Sequence, residues 1–427
     1  MLLRVKLTGA TLLSTLAIAL ILFTTCSLLL LTFYYSKTFE INTAVQTRLD
    51  NNLQSAIQLS LSGSTGKEML PFNEIMDLYG DGNDSAFIHQ ELWGCFKLSN
   101  ILVRYKGRKD SAIFLCGATE QKYSDACLYL TDKKRRLSLT GSTLIRGKVY
   151  LPKAGVQADY LNQEGYTREK LIEGFQDTSD SKLPDISAPF KNFCNSLNKT
   201  MHSLLDSDYN INTIDSLYRS FNDSIIIIKG HGAVQLNHKR FSGKIILVSD
   251  SLLQINNSCA LNNVLLIAPQ IRFQSGFSGA VQAFAMDSIV VEEGCFLKYP
   301  SALTVVQKDS ASVSSQINIY DNCQINGCVY TIKGSGETVY PRIHLNKSAL
   351  INGLVYSNGF LYLNGNVSGT VYTDYFVYTE SVYTLDNTLK NDTIRYSNWS
   401  KIGGFYSSMV DNKNNKILVW LKNEERK

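Results

Sequence analysis

Several segments of this chain copy one another, and a repeat constrains a fold more than any other sequence feature. With Leu137, Leu253, Ile289, Ile317 and Ile343 as starting points, Leu139, Ile255, Val291, Ile319 and Leu345 stand two residues on. Alternate residues of a strand face one side, so each pair is the inward half of a short strand. Six residues on, the side chains are small: Thr143, Cys259, Cys295, Cys323 and Ala349. Eight residues on they are aliphatic again, with Ile145, Leu261, Leu297, Ile325 and Ile351. A turn-former follows in Gly147, Asn263, Gly327 and Gly353, then Val149, Leu265, Val329 and Val355, with Tyr150, Tyr330 and Tyr356 closing three of the copies. Shorter copies begin at Ile271 and Leu361, and an imperfect one at Val234.

Such a unit has too little apolar surface to close a core by itself, whereas stacked units share a continuous one. The spacing therefore predicts a mainly β chain in which residues 137–380 form a parallel β-helix or β-solenoid, interrupted by a polar insertion at 163–222. A β-sandwich of short strands is the alternative, since alternation and glycine turns serve it equally. Within the insertion, Arg168 to Ile172 and Phe190 to Leu205 have helical patterning, with Pro184 and Pro189 between them. That insertion either caps the stack or projects from it as a binding loop.

From Leu7 to Ser36 there is no charged residue. A bilayer core needs roughly 20 apolar residues of helix, so residues 7–34 read as a transmembrane helix behind a short N-terminus, 1–6. Arg4 and Lys6 precede the span, and the positive-inside bias puts that N-terminus in the cytoplasm. The expectation is a single-pass plasma (inner) membrane protein with a periplasmic or extracellular ectodomain. A cleaved signal peptide has a shorter apolar core, about 7–15 residues, and a small-residue site that is missing after Leu31. Cys26 is a poor lipoprotein site, because Thr25 stands where a smaller residue is expected. Beyond the span Ile41, Val45, Leu49, Leu53, Ile57 and Leu61 recur every four residues, which extends the helix as an amphipathic stalk over 35–62. Gly63-Ser64-Thr65-Gly66 ends it. Residues 63–136 read as a small β module, with runs at Phe96-Lys97-Leu98, Ile101-Leu102-Val103 and Ala112 to Leu115. The tail, 381–427, reads as a C-terminal cap with strands at Thr393 to Tyr396 and Ile417 to Leu421.

The form Ile351-Asn352-Gly353-Leu354-Val355-Tyr356, also present from Ile325 to Tyr330, resembles the rungs of bactofilin-type polymer-forming β-helices. That resemblance covers about 150 to 200 residues and implies self-assembly. The long apolar anchor, the external repeat domain and the polar interruption depart from it. The N-terminus has a second resemblance: Gly9-Ala10-Thr11-Leu12-Leu13 before an apolar helix looks like the start of type IV pilins and pseudopilins, which a peptidase cuts after the glycine. Ser14 stands where those proteins usually have Glu. It implies a minor pilin-like subunit of a pilus or secretion machine.

Little in the chain points to chemistry. The net charge is +5, with no basic stripe and interleaved aromatics, so no nucleic-acid partner is expected. Lys133-Lys134-Arg135-Arg136, between two strand-like segments, suits either a solvated turn or contact with an anionic polymer or headgroup. Of the nine cysteines, Cys259, Cys295 and Cys323 share one repeat position and read as small core residues, with a bridge between neighbouring rungs as the alternative; Cys95, Cys116 and Cys127 lie in the small β module, where one disulfide is plausible. His89, His202, His231, His238 and His344 have no metal-ligand spacing. Asp223-Ser224, Asp250-Ser251, Asp287-Ser288 and Asp309-Ser310 each precede an apolar strand, as turn formers or, if stacked, as a carboxylate ladder for calcium or sugar. No catalytic, cofactor-binding or metal-binding residues emerge, and the chain is not expected to be an enzyme. The leading expectation is a membrane-anchored envelope scaffold that associates with itself, with an envelope protein or with a polysaccharide. A pilin-like subunit and a polysaccharide-acting β-helix enzyme are the alternatives.

Overall fold

The structure, a computed structural model, describes residues 9–62, 72–80, 82–118, 123, 125–204, 209–308, 312–334, 339–380, 383–397 and 415–421. The glycine-rich stop at 63–66 and the pair at 309–310 lie outside them. Helix α1, Gly9–Ser62, is unbroken, and every residue from Thr11 to Ala44 is exposed. It is long and apolar enough to cross a membrane. Thr15, Thr24, Thr25 and Thr32 each donate to the carbonyl three residues back at 2.9 Å, so these four hydroxyls are satisfied within the helix. A sheet of five strands runs in the order Phe72–Met76, Asp84–Trp93, Phe96–Tyr105, Arg108–Ala118 and Asn415–Trp420.

The chain divides into two compact units: residues 1–57 with 75–87 and 101–111, and residues 58–74 with 88–100 and 112–427. In the first, Val45, Leu49 and Ile57 of the every-fourth-residue stripe of α1 are buried, as is Ala56 beside them, whereas Leu53 is half-buried and Ile41 exposed. Arg48 fixes this half of the helix. Its Nη2 lies 2.6 Å from the Asp84 carboxylate, and its guanidinium carbon is 3.8 Å from the Tyr79 ring centroid.

The second unit is dominated by one closed, almost wholly parallel sheet. It pairs the repeat copies side by side in register, and three inward columns result. Leu253, Ile271, Ile289, Ile317, Ile343 and Leu361 are successive neighbours in the first. Leu297, Ile325, Ile351 and Val367 follow one another in the second, and Leu303, Val329, Val355 and Val371 in the third. All of them are buried in a single apolar core. Parallel neighbours replace the antiparallel sheets that a sandwich would have.

The earliest copy is not where chain order would put it. Ile145 follows Ile394, the neighbour of Val367, in the second column, and Leu128 then Val149 follow Val371 in the third. Residues 126–178 thus lie beyond the strand Asn366–Glu380. Gln176–Thr178 adds a further layer on Lys148–Leu151. The chain then passes through helix α2, Ala188–Leu204, and resumes at the far end, where Tyr209–Asn210 pairs with Ile226–Gly230. Phe190, Cys194 and Leu197 lie on one face of α2 and are buried with Phe284 and Tyr330 outside the third column. The segment leading into α2 takes up two outward tyrosine hydroxyls as a strap: Tyr356 of the repeat donates to Pro184 O at 3.0 Å and Tyr129 to Lys182 O at 3.2 Å.

Two local expectations need correction. Arg168 to Ile172 is not helical, because its surroundings are held by the neighbouring layer: Thr167 N donates to Gly141 O and Glu173 N to Ile145 O. Leu265 is not the inward residue of its copy. Asn263, at φ 57, and a register shift between Asn262 and Val264 insert one residue, so Leu266 faces the core and Leu265 packs outside.

Candidate binding surface

The inward residues of the first column force their neighbours outward, because side chains alternate along a strand. Where the strands Arg342–Leu345, Leu350–Leu363 and Asn366–Glu380 meet, those outward residues are mostly rings. Arg342, Phe360 and Tyr375 are register partners, as are His344 and Tyr362. Phe360 lies 5.2 Å from Tyr340 and 5.5 Å from Tyr375, centroid to centroid, and Tyr340 is 6.0 Å from Tyr375. His344 is stacked on Tyr362 at 4.1 Å, with planes 12° apart. All five rings are half-buried.

Cations border the rings. The Lys333 ammonium stands 3.8 Å from the Tyr340 centroid and that of Lys133 5.7 Å from Tyr375. Arg342 is exposed and has no ion-pair partner among the described residues. Below them is Asp374, 8% exposed, which accepts from Thr131 Oγ1 at 3.1 Å and lies 3.4 Å from Lys133 Nζ. Burial raises its carboxyl above the usual range, against the opposing pull of Lys133. Burial likewise lowers His344 to about 4, helped by Arg342, so this ring is neutral at pH 7.

The motifs singled out in the sequence do not converge on one place. In the basic run, only Lys133 reaches these rings; Arg135 pairs with Asp386 and Arg136 donates to Gln157, while Lys134 is an exposed turn residue at φ 61. Asp250 accepts from Gly232 N and faces His231, Asp287 faces Lys308, and Asp223 faces Arg219, which is no carboxylate ladder. Cys95, Cys116 and Cys127 are separate thiols, and burial raises Cys116 to about 11 and Cys127 to about 12. Among the described residues, no cluster of His, Cys, Asp and Glu could hold a metal. The rings themselves escape a search for inward periodicity. His344, Phe360 and Tyr362 stand at the intervening positions of Arg342–Leu345 and Phe360–Leu363, while Tyr340 precedes the first segment and Tyr375 lies on the next strand.

No family model matches the chain, and neither a curated protein nor a solved structure is detectably similar to it.

Proposed function

We propose that this chain is a membrane-anchored scaffold of the cell envelope. In this reading α1 spans the membrane with its N-terminus in the cytoplasm, and the closed parallel sheet serves as a rigid β-solenoid outside it. The observation that supports this best is the sheet's two ends. Among the described residues, the register partner of Gln176–Thr178 is Lys148–Leu151, and that of Ser216–Arg219 is Arg240–Gly243. In this reading the two strands are the outermost rungs of the solenoid, and each is a template for another strand. Because the two edges belong to opposite ends, contact between copies is head-to-tail and extends a line.

Full-length chain in native membranes and in nanodiscs tests both halves. It is expected to stay with the membrane through an alkaline carbonate wash, to be cleaved by protease added from the non-cytoplasmic side, and to cross-link into ladders above the dimer. Release by carbonate rejects the anchor; a monomer at tens of micromolar, roughly the range of transient contacts, rejects self-association.

One observation favours a second reading, a pilin-like subunit. The apolar half of α1 is exposed from Thr11 to Ala44, and beyond it Val45, Leu49, Ala56 and Ile57 are buried. Mass spectrometry of the mature N-terminus decides it: a chain starting at Ala10 supports this reading, and an intact Met1 rejects it.

A further inference from the structure

We infer that the ring-bearing face around Phe360 and Tyr362 is a binding site for an acidic polysaccharide, one whose sugar rings carry carboxylate or sulfate groups. This inference stands on the face itself and does not depend on self-association.

Its geometry suits sugars more than other anions. Strands lie ~4.8 Å apart and alternate residues about 7 Å, so Tyr340, Phe360, Tyr375 and the His344/Tyr362 pair cover roughly 10 Å by 14 Å. Their rings are tilted against one another, by 46° between Tyr340 and Phe360 and by 51° between Phe360 and Tyr375. The result is a faceted apolar surface and not a flat one. The C–H faces of a pyranose chain are apolar and change tilt from ring to ring, and they lose water against such facets. A phospholipid headgroup has no such faces to offer.

The charges then select among sugars. Arg342 presents a fork of N–H donors at the edge of the rings, with no carboxylate of its own among the described residues. Lys333 borders the Tyr340 ring at 3.8 Å and Lys133 the Tyr375 ring at 5.7 Å. Three cations bordering one apolar surface match a polymer with regularly spaced acids, and a neutral glycan would leave Arg342 unmatched. Asp374 does not reverse the sign, because it is almost buried and already faces Lys133 and Thr131.

The test uses full-length chain in nanodiscs of neutral lipid, measured against immobilised polygalacturonate, dextran sulfate and unmodified dextran. Binding to at least one acidic polymer is expected, at least tenfold tighter than to dextran. The carboxylate and sulfate arms identify which acid is preferred. Tyr362→Ser and Arg342→Gln should each weaken it about tenfold, which is ~1.4 kcal/mol. Arg272→Gln, which removes another exposed cation from the same column of strands, should leave it unchanged. If Tyr362→Ser lowers the thermal midpoint, Phe360→Leu replaces it, since it keeps an apolar residue and removes only the ring. Absence of binding to either acidic polymer overturns the proposal. So does binding that salt abolishes and that neither ring variant alters, because this is generic charge attraction. Equal affinity for phosphatidylglycerol vesicles, competing with the polymers, also overturns it by identifying a membrane surface.

Discussion

His344 lies flat on Tyr362, and its burial, with the charge of Arg342 adding to it, favours the uncharged imidazole. Its pKa is about 4 in the folded chain against 6.5 when free, so the unfolded chain binds the proton more readily. The stabilisation is complete above pH 6.5 and is lost as pH falls toward 4. The difference between wild type and His344→Gln across that window should reach no more than about 2–3 kcal/mol, after allowance for the ring's partial exposure. Pulse proteolysis in urea at pH 7, 5.5 and 4 measures it; parallel curves for the two proteins would remove this assignment. A different residue-scale argument concerns Cys295. Phe277, Cys295, Cys323 and Ala349 occupy successive layers, linked by Phe296 N to Phe277 O, Gln324 N to Cys295 O and Leu350 N to Cys323 O. Phe277 and both thiols are buried, so the small residues make room for the one large ring. Cys295→Ala should cost only about 1 kcal/mol, whereas Cys295→Leu should cost about 1–3 kcal/mol through overpacking against Phe277. Equal urea midpoints for these two variants would contradict it.

At the scale of elements, one turn of the sheet depends on glycine for a steric reason. Gly327 has φ +152°, and a Cβ there would lie 1.8 Å from Ser301 O in the layer below. Gly369 stands in the same relation to Gly353 O, also at 1.8 Å. Gly327→Ala should therefore destabilise the sheet by at least about 3 kcal/mol, since the atom it meets is backbone and has nowhere to go. Ala substitution at Gly107, where a Cβ meets nothing within 4 Å, costs only the strain of its φ of +76°. Comparing the two by urea midpoint checks the claim. These turns show what the sequence discloses. The inward residues Leu253, Ile289, Ile317 and Ile343, and the glycines Gly327 and Gly353 after the last two, were legible because the core demands the same shape at every layer. Leu265 was not, because a single inserted residue exchanges inside for outside without altering composition. Phe360, Tyr362 and Tyr375 were not legible either: outward positions have no shape to repeat, so nothing marks their convergence until the register is known.

On the scale of the molecule, the repeat discloses which segments are equivalent and leaves open which are adjacent. The layer formed by Ala126–Leu130 needs Val371, Tyr372 and Thr373 as its neighbours, with Thr131 N donating to Thr373 O at 3.1 Å. During synthesis at about 5–20 residues per second, residues 126–151 must wait roughly 10–50 s for that partner. Their edge is unpaired meanwhile, and so distant a pairing carries a large loop-closure cost. The long-range contact should then behave as one cooperative unit despite its separation in sequence. In hydrogen exchange on the full chain, amides of 128–130 and 371–373 are expected to open together, with protection in the same range. A chain ended at residue 364 should lose protection across 126–151 and keep it in the layers between Ile245 and Ile332, whose neighbours remain. Persisting protection of 126–151 in that shortened chain would mean these layers are held by the strap and by Gln176–Thr178 alone, and the closure at Val371 would be dispensable.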